Sequence, residues 1–378
     1  MTISLTNDHV RQLRLDAQRL ARQHPNPGAS VVHLVKELGG IQAQDPRAAT
    51  LAVRVRSAGL VAADVEHARI QERSVVRTWG LRGTLHLLAT EDLSWLLPLI
   101  GPTFIALDRR RRTELGLDED TCRRGIQIIR QVLANRGPLI RDELIGYLAT
   151  YGPRLVGQAR PHLLSRAALE GVICFGPDQD GEPTYVLLSD WVEQENSKRS
   201  LSDAAAHAEL TRRYLGAYGP ATPQDQAAWS GMPMSQIRAA WQYLGNHLLE
   251  VEIAGAPAWM LKADAPRLNE LPAPMSIVRL LPSYDTYLLG YQKRGLIVSP
   301  QYAKRINAGG GFLRPTLLSD GCAVGTWKSK RQKNHLEVQI EPFDHLASEV
   351  SAGVEAEVSD LARFLEAPTM LRMMIPMP

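Results

Sequence analysis

Asn135-Arg136-Gly137-Pro138-Leu139-Ile140-Arg141-Asp142 decides how the chain is assembled, because Ala217-Tyr218-Gly219-Pro220-Ala221-Thr222-Pro223-Gln224 stands at the same place in a second stretch of the same grammar. In both, a helical run stops on Gly-Pro. Glycine closes helices and proline cannot continue them, so the dipeptide is a boundary and not an interior feature. Around the first copy the spacing predicts helices over 118–135, 141–150 and 160–170, then a hairpin with arms 172–175 and 184–188 and a loop at 176–182. Around the second it predicts helices over 202–215, 223–229 and 235–243, with strands 248–253 and 258–262 turning at Gly255.

The N-terminal stretch has the same order: helices over 10–23 and 30–38, a third opened by Asp45-Pro46, then strand-like runs 74–80 and 82–88. Three helices followed by a two-stranded wing is the winged-helix plan, and three successive copies are more specific than one. Beyond Leu271-Pro272-Ala273-Pro274 the pattern changes to short runs bounded by turns, at 277–281, 287–290, 312–318, 321–327 and 336–340, with an amphipathic helix over 346–365. The expected fold is therefore α+β: three tandem winged-helix motifs, a small β-barrel-like C-terminal region and a terminal helix. Its expected segments are 1–115, 116–198, 199–270 and 271–378.

The 378 residues carry 43 Lys+Arg against 40 Asp+Glu, a formal charge of +3, so binding to a polyanion requires the cations to be sorted onto one face. A hydrophobic share of 44% with 22% charged residues is that of a folded globular protein, which excludes disordered and fibrous classes. Cys122, Cys174 and Cys322 are scattered and form no C-x-x-C, which argues against a disulfide framework or a structural zinc site. The start lacks a basic segment followed by an apolar one, and the most apolar stretch, 93–107, is broken by Pro98 and Gly101-Pro102. These features lead to the expectation of a cytoplasmic protein, without membrane, metal or cofactor.

His-Glu-x-x-His, P-loop and Gly-x-Ser-x-Gly signatures are absent, and Gly309-Gly310-Gly311 lacks the Lys-Ser or Lys-Thr of a phosphate loop, so it reads as a β connection. The unusual segment is Gly39-Gly40-Ile41-Gln42-Ala43-Gln44-Asp45-Pro46. The glycines end one helix, and Asp45 with Pro46 starts the next. In an extended connector Gln42 and Gln44 share a side. On spacing alone they read first as surface or capping residues, because an amide is no strong base. By the same alternation Arg82, Thr84 and His86 share a face of the first wing; Arg82 reads equally as a groove contact or a solvated charge, and His86 first as a half-buried core residue. The densest basic clusters are Arg109–Arg112 and the Lys328, Lys330, Arg331 and Lys333 group, the latter expected at a hairpin tip able to touch phosphates. In Leu281–Arg294, Asp285 is expected to bond turn amides or pair with Arg294, with Tyr284 beside it; Trp79 and Trp327 read as core.

Gly39–Pro46, the wing Thr78-Trp79-Gly80-Leu81-Arg82-Gly83-Thr84-Leu85-His86-Leu87-Leu88, the run 281–294 and Gly325-Thr326-Trp327 occur in an order that resembles the winged-helix DNA glycosylases of the AlkZ/YcaQ type, over nearly the whole chain. The resemblance implies hydrolysis of the N-glycosidic bond of N7-alkylated purines, including the unhooking of interstrand crosslinks. Its Gln-apolar-Gln motif falls on Gln42, Ala43 and Gln44, which become the implied catalytic pair. A sister branch has Asp at the second polar position; here Asp45 follows Gln44 and is assigned to the helix cap. Arg82, His86, Lys328, Lys330, Arg331 and Lys333 are the implied DNA contacts, with Asp45, Tyr284, Asp285 and Arg294 supporting the site. Double-stranded DNA bearing alkylated or crosslinked guanine is the implied partner of a monomer. A winged-helix transcriptional regulator and a non-catalytic DNA-damage binder are the competing readings.

Overall fold

Gly-Pro boundaries and turn residues place the elements. The structure is a computed structural model that describes residues 3–21, 30–192, 201–269 and 277–375. The Pro-rich stretch 271–274 and the segment boundaries at 198 and 270 lie outside the described residues, and the expected helix 10–23 is instead Asn7–Ala17, closed by a turn at Gln18 and Arg19. The chain divides into two units, Met1–Glu66 with Ala208–Pro378, and His67–His207. Among the described residues, no helix is long and apolar enough to cross a membrane.

In the His67–His207 unit, strands Val75–Trp79 and Leu85–Ala89 run antiparallel with Trp79 opposite Leu85. The second strand starts three residues later than expected. Leu81–Gly83 forms a 3-10 turn in which Arg82 takes a φ of 56°, so Arg82, Thr84 and His86 do not alternate along one strand. Helices Glu119–Arg136, Arg141–Tyr151 and Ala159–Leu169 lead to the hairpin Ile173–Gln179 and Glu182–Leu187. Its expected seven-residue loop shrinks to Asp180-Gly181, both with positive φ, as a tight two-residue hairpin turn requires; a bulge between Phe175 and Asp178 absorbs Gly176-Pro177. Leu144, Leu148, Leu163, Ala167 and Ile173 centre the core of this unit.

In the other unit, strand Ile3–Leu5 pairs in parallel with Leu248–Ile253, which pairs antiparallel with Ala256–Leu261. Helices Pro223–Ser230 and Met234–Leu244 precede that hairpin. Five strands form a second sheet in the order Val278–Leu281, Thr316–Ser319, Cys322–Arg331, Leu336–Pro342, Thr369–Met373. This is an open sheet and not the barrel-like closure expected. Its last strand joins in parallel at the edge. Helix Ser348–Leu365 lays Val354, Val358 and Leu361 on the sheet residues Val278, Leu280, Trp327, Val338 and Ile340, so a two-layer core forms without closure. The expected strand 287–290 is instead helix Thr286–Leu289, because the Asp285 carboxylate accepts the Tyr287 N–H and caps a helical turn.

Candidate functional site

Helix Val31–Glu37 ends in Gly39 and Gly40, both at positive φ, and a side chain at 39 would press to 3.1 Å from the Trp229 ring. Glycine therefore serves both the turn and the close approach. Strand Ile41–Gln42 follows, and helix Pro46–Arg54 begins four residues later with Pro46 in its first turn. Asp45 caps that helix, accepting the N–H of Arg47 at 2.9 Å and of Ala48 at 3.4 Å. Its carboxylate is thus committed to the cap, as Pro46 predicts.

Between these fixed ends the two amides separate. Gln42 is buried, with 8% of its surface exposed, alongside Ile41 and Ala43, whereas Gln44 is exposed. The expected common side does not exist, because extended structure ends at Gln42 and the chain bends at Gln44 to enter the helix.

Two buried arginines at the far end of helix Pro46–Arg54 hold it in place. Arg54 reaches Glu357 at 2.8 Å and Asp360 at 2.9 Å, and donates to the Leu280 carbonyl at 3.1 Å. Arg56 grips both Asp285 oxygens, at 2.8 and 2.7 Å, and also donates to Gln18 and Thr286. Neither Arg56 nor Asp285 has an exposed side chain. Asp285 is therefore a structural anchor whose partner is Arg56, while the Arg294 Nε donates to the Leu288 carbonyl at 2.6 Å. Such a pair offsets its desolvation only when both partners and their remaining hydrogen bonds are in place.

Beside Asp45 opens a cleft of about 620 Å³ lined by Asp45, Arg47, Ser283, Phe312, Arg314, Lys328 and Glu341, among others. Arg47 and Arg314 are exposed, and neither guanidinium has an ion-pair partner among the described residues. Lys328 pairs with Glu341 at 2.7 Å. Tyr284 belongs to the turn on this side: burial, then the Asp45 carboxylate, pushes its phenol up from the ordinary tyrosine value. The structure thus brings together Asp45, Lys328 and Tyr284 from the sequence-derived set. Arg47, Arg314 and Phe312 join them without any motif to announce them; only the position of Arg47 just after Asp45-Pro46, and of Phe312 and Arg314 just after three glycines, marks them.

Lys328, Lys330 and Arg331 lie along a strand arm, and of the cluster Lys333 stands at the hairpin tip. Lys328 to Arg331 pair with Gln339 to Leu336, and the turn is Gln332–His335, which holds Lys333. All four cations are exposed. In the Arg109–Arg112 run three of the four are tied to nearby acids instead: Arg110 and Arg111 meet Glu114 at 3.1 and 3.2 Å, and buried Arg112 meets Asp108 and Glu119.

Arg82 and His86 belong to the His67–His207 unit. His86 is 3% exposed and hydrogen-bonds the Thr84 carbonyl through Nδ1 at 3.0 Å. Burial, then the Arg82 guanidinium, lowers its pKa to about 3 against the raising effect of that hydrogen bond. It is neutral at physiological pH and has no surface to offer a groove. This unit has a cavity of its own, also about 620 Å³, walled mainly by Leu93, Leu97, Pro98, Pro102, Ile105, Leu169 and Leu188, which holds none of the candidate site residues.

An α+β chain with cations gathered around one cleft, beside un-ionised amides on a rigid connector, is suited to an enzyme that handles a polyanion. Comparison with known proteins gives the class its name. Residues 35–364 match the family described as DNA glycosylase AlkZ-like. The chain is 29% identical over 361 residues to an interstrand DNA cross-link repair glycosylase of Streptomyces sahachiroi, covering 92% of this chain and 94% of that one. It superimposes on the solved structure of the Streptomyces sahachiroi DNA glycosylase AlkZ with a TM-score of 0.80 at 26% identity, covering 98% of this chain and all of the other. The chain belongs to the AlkZ-like DNA glycosylase family.

Proposed function

We propose that this glycosylase hydrolyses the N-glycosidic bond of N7-alkylated purines in duplex DNA, including guanines tied into interstrand crosslinks, with Gln42 and Gln44 as the residues that organise the reacting centre. An N7-alkylguanine carries a positive charge, so cleavage of C1′–N9 returns the bonding electrons to the ring and the base leaves neutral. Little acid catalysis is needed. What remains is to place a water against C1′ and to stabilise a sugar with oxocarbenium character, and positioned amide dipoles can supply both. The water oxygen bonds to C1′ and its proton passes to solvent. Uncharged amides leave normal bases, which need a protonated leaving group, untouched.

The observation that carries this reading is the connector itself: clamped by Gly39 against Trp229 and by the Asp45 cap, it buries Gln42 and leaves Gln44 exposed, one residue from the cation-lined cleft. Gln42 then acts from the inner side and Gln44 meets DNA. An exposed Gln44 suits a lesion that cannot swing into a deep pocket because it is bonded to the opposite strand. The enzyme is monofunctional in this account, leaving an abasic site and an intact strand, and works as a monomer in the cytoplasm. The three helix-then-hairpin segments, 1–115, 116–198 and 199–270, serve as winged helices, with 271–378 completing the DNA-facing surface through Lys328, Lys330, Arg331 and Lys333; Arg82 adds a contact from the first wing. Chromatographic detection of free 7-methylguanine from methylated duplex tests the proposal: release by the wild type and its loss in Gln44→Ala, with DNA binding retained, supports it, whereas full release by both Gln42→Ala and Gln44→Ala removes the pair from the mechanism.

A further inference from the structure

Phe312 is a large apolar side chain left 40% exposed at the edge of the cleft that holds Asp45. It is presented deliberately by the backbone. Asn307 bridges Leu313, the Ala308 N–H donates to the Phe312 carbonyl at 3.0 Å, and the Phe312 N–H donates to the Gly309 carbonyl at 2.9 Å, which closes a small hairpin tip. Gly309, Gly310 and Gly311 all have positive φ, between 57° and 92°, a run of conformations that side chains rarely adopt. The three glycines thus find their use as the turn that carries an aromatic ring.

The ring is held from behind. Tyr284 meets it edge to face, with centroids 5.3 Å apart and planes at 87°. Tyr284 itself sits at a φ of 58°, an uncommon conformation for an aromatic residue, and its N–H donates to the Leu313 carbonyl at 3.4 Å. Its neighbour Asp285 is locked by Arg56, so the turn that supports Phe312 is anchored in the same buried network that fixes the end of helix Pro46–Arg54. A strained residue kept in place by a buried ion pair marks a position where placement matters. Around this pair stand Arg47 and Arg314, exposed cations without ion-pair partners among the described residues.

We propose that Phe312, backed by Tyr284, is a positioning residue that stacks on a nucleobase flanking the lesion, while Arg47 and Arg314 hold the adjoining phosphates. An exposed aromatic ring sharing a cleft with two exposed cations has the chemistry of a nucleic-acid stacking platform: base–aromatic stacking contributes about 1–3 kcal/mol per base, and apolar wedges at base steps open the duplex locally. The inference rests on the glycosylase reading above, since the ring lies in the cleft next to the Gln42–Gln44 connector. Its role is to open the step beside the lesion so that Gln44 can approach C1′ without extruding a crosslinked base.

The test places 2-aminopurine next to a non-hydrolysable analogue of the alkylated deoxyguanosine in a duplex and follows its fluorescence on binding, in parallel with single-turnover release of 7-methylguanine. Wild type and Gln44→Ala should both change the fluorescence several-fold, since the catalytic amide is not what opens the step. Phe312→Ala should lose the change and slow release about 10- to 100-fold, the equivalent of about 1–3 kcal/mol of stacking. Phe312→Trp should restore both, and Tyr284→Phe, which keeps the supporting ring, should behave as wild type. An unchanged fluorescence response in Phe312→Ala, or no response in the wild type, overturns the proposal even where release is normal. Absence of 7-methylguanine release from the wild type with an intact Phe312-dependent fluorescence change would instead reject the glycosylase substrate and leave the stacking contact standing.

Discussion

Two cavities of the same volume, about 620 Å³ each, sit in different units and differ in their charged lining: Glu170 in one, and Asp45, Arg47, Arg314, Lys328 and Glu341 in the other. The one in His67–His207 is walled by Leu93, Leu97, Pro98, Pro102, Ile105 and Leu188, whereas the one beside Asp45 gathers Arg47, Arg314, Lys328 and Glu341 around an aromatic ring. Size alone therefore does not point to the site. What separates them is the provision of polar groups on a rigid frame: Arg54 and Arg56 anchor the polar cleft's helix with buried ion pairs, and the apolar cavity lies against a helix, Leu93–Leu107, that carries two prolines. A near-neutral protein can meet a polyanion in this way, by concentrating a few exposed cations at one place.

The largest effect that would sharpen this contrast is loss of the anchor. Asp285→Ala leaves Arg56 buried with only neutral partners and should destabilise the protein by about 3–5 kcal/mol, measured by urea unfolding; a loss under about 1 kcal/mol would show that the anchor is dispensable. Next comes His86, in the other unit. Its folded pKa lies near 3, below its ordinary value of 6.5, so the unfolded chain binds the extra proton between those limits. Above about pH 6.5 the ring is neutral in both states and costs nothing; as pH falls towards 3 the unfolded chain gains a proton that the folded ring refuses, which lowers stability by about 1.4 kcal/mol per pH unit. Denaturant titrations at pH 7 and pH 4.5 should show the wild type losing more stability than His86→Asn; equal losses would mean that the histidine takes up its proton in the folded state.

A smaller effect is expected at the cations. Replacing Arg47 and Arg314 together by alanine should lower the log–log salt slope of duplex binding by about two, because each phosphate contact contributes about 0.9. A slope equal to that of the wild type would place DNA elsewhere. The smallest effect is the control on the apolar cavity: Ile105→Ser should leave base release within about twofold of wild type, and a large loss there would erase the distinction between the two cavities.

Much of the architecture is legible in the residues, and the places where it is not share a cause. Asp45-Pro46 states its helix start outright, and the hairpin at 248–261 is marked by its turn. The helix Thr286–Leu289 looks like strand in sequence because four residues carry too little period, and the decisive Asp285 cap is a single side chain. The open sheet resembles a barrel in sequence because short alternating strands do not encode whether the edges meet; the parallel edge strand Thr369–Met373 depends on the helix before it. At the site, the connector and its glutamines are visible as a motif, whereas the separation of Gln42 from Gln44 depends on where pairing stops. Arg54 and Arg56 have no local signature, and Phe312 has only the three glycines before it, since their partners Glu357, Asp285 and Tyr284 are distant in sequence.

The most direct test of the account is single-turnover release of 7-methylguanine from a methylated duplex by wild type and by Gln44→Ala at saturating enzyme. Rapid release is expected from the wild type and a rate about 10²- to 10³-fold lower from the variant, the loss typical of one positioned amide, with unchanged duplex affinity. Release by Gln44→Ala at the wild-type rate would contradict it.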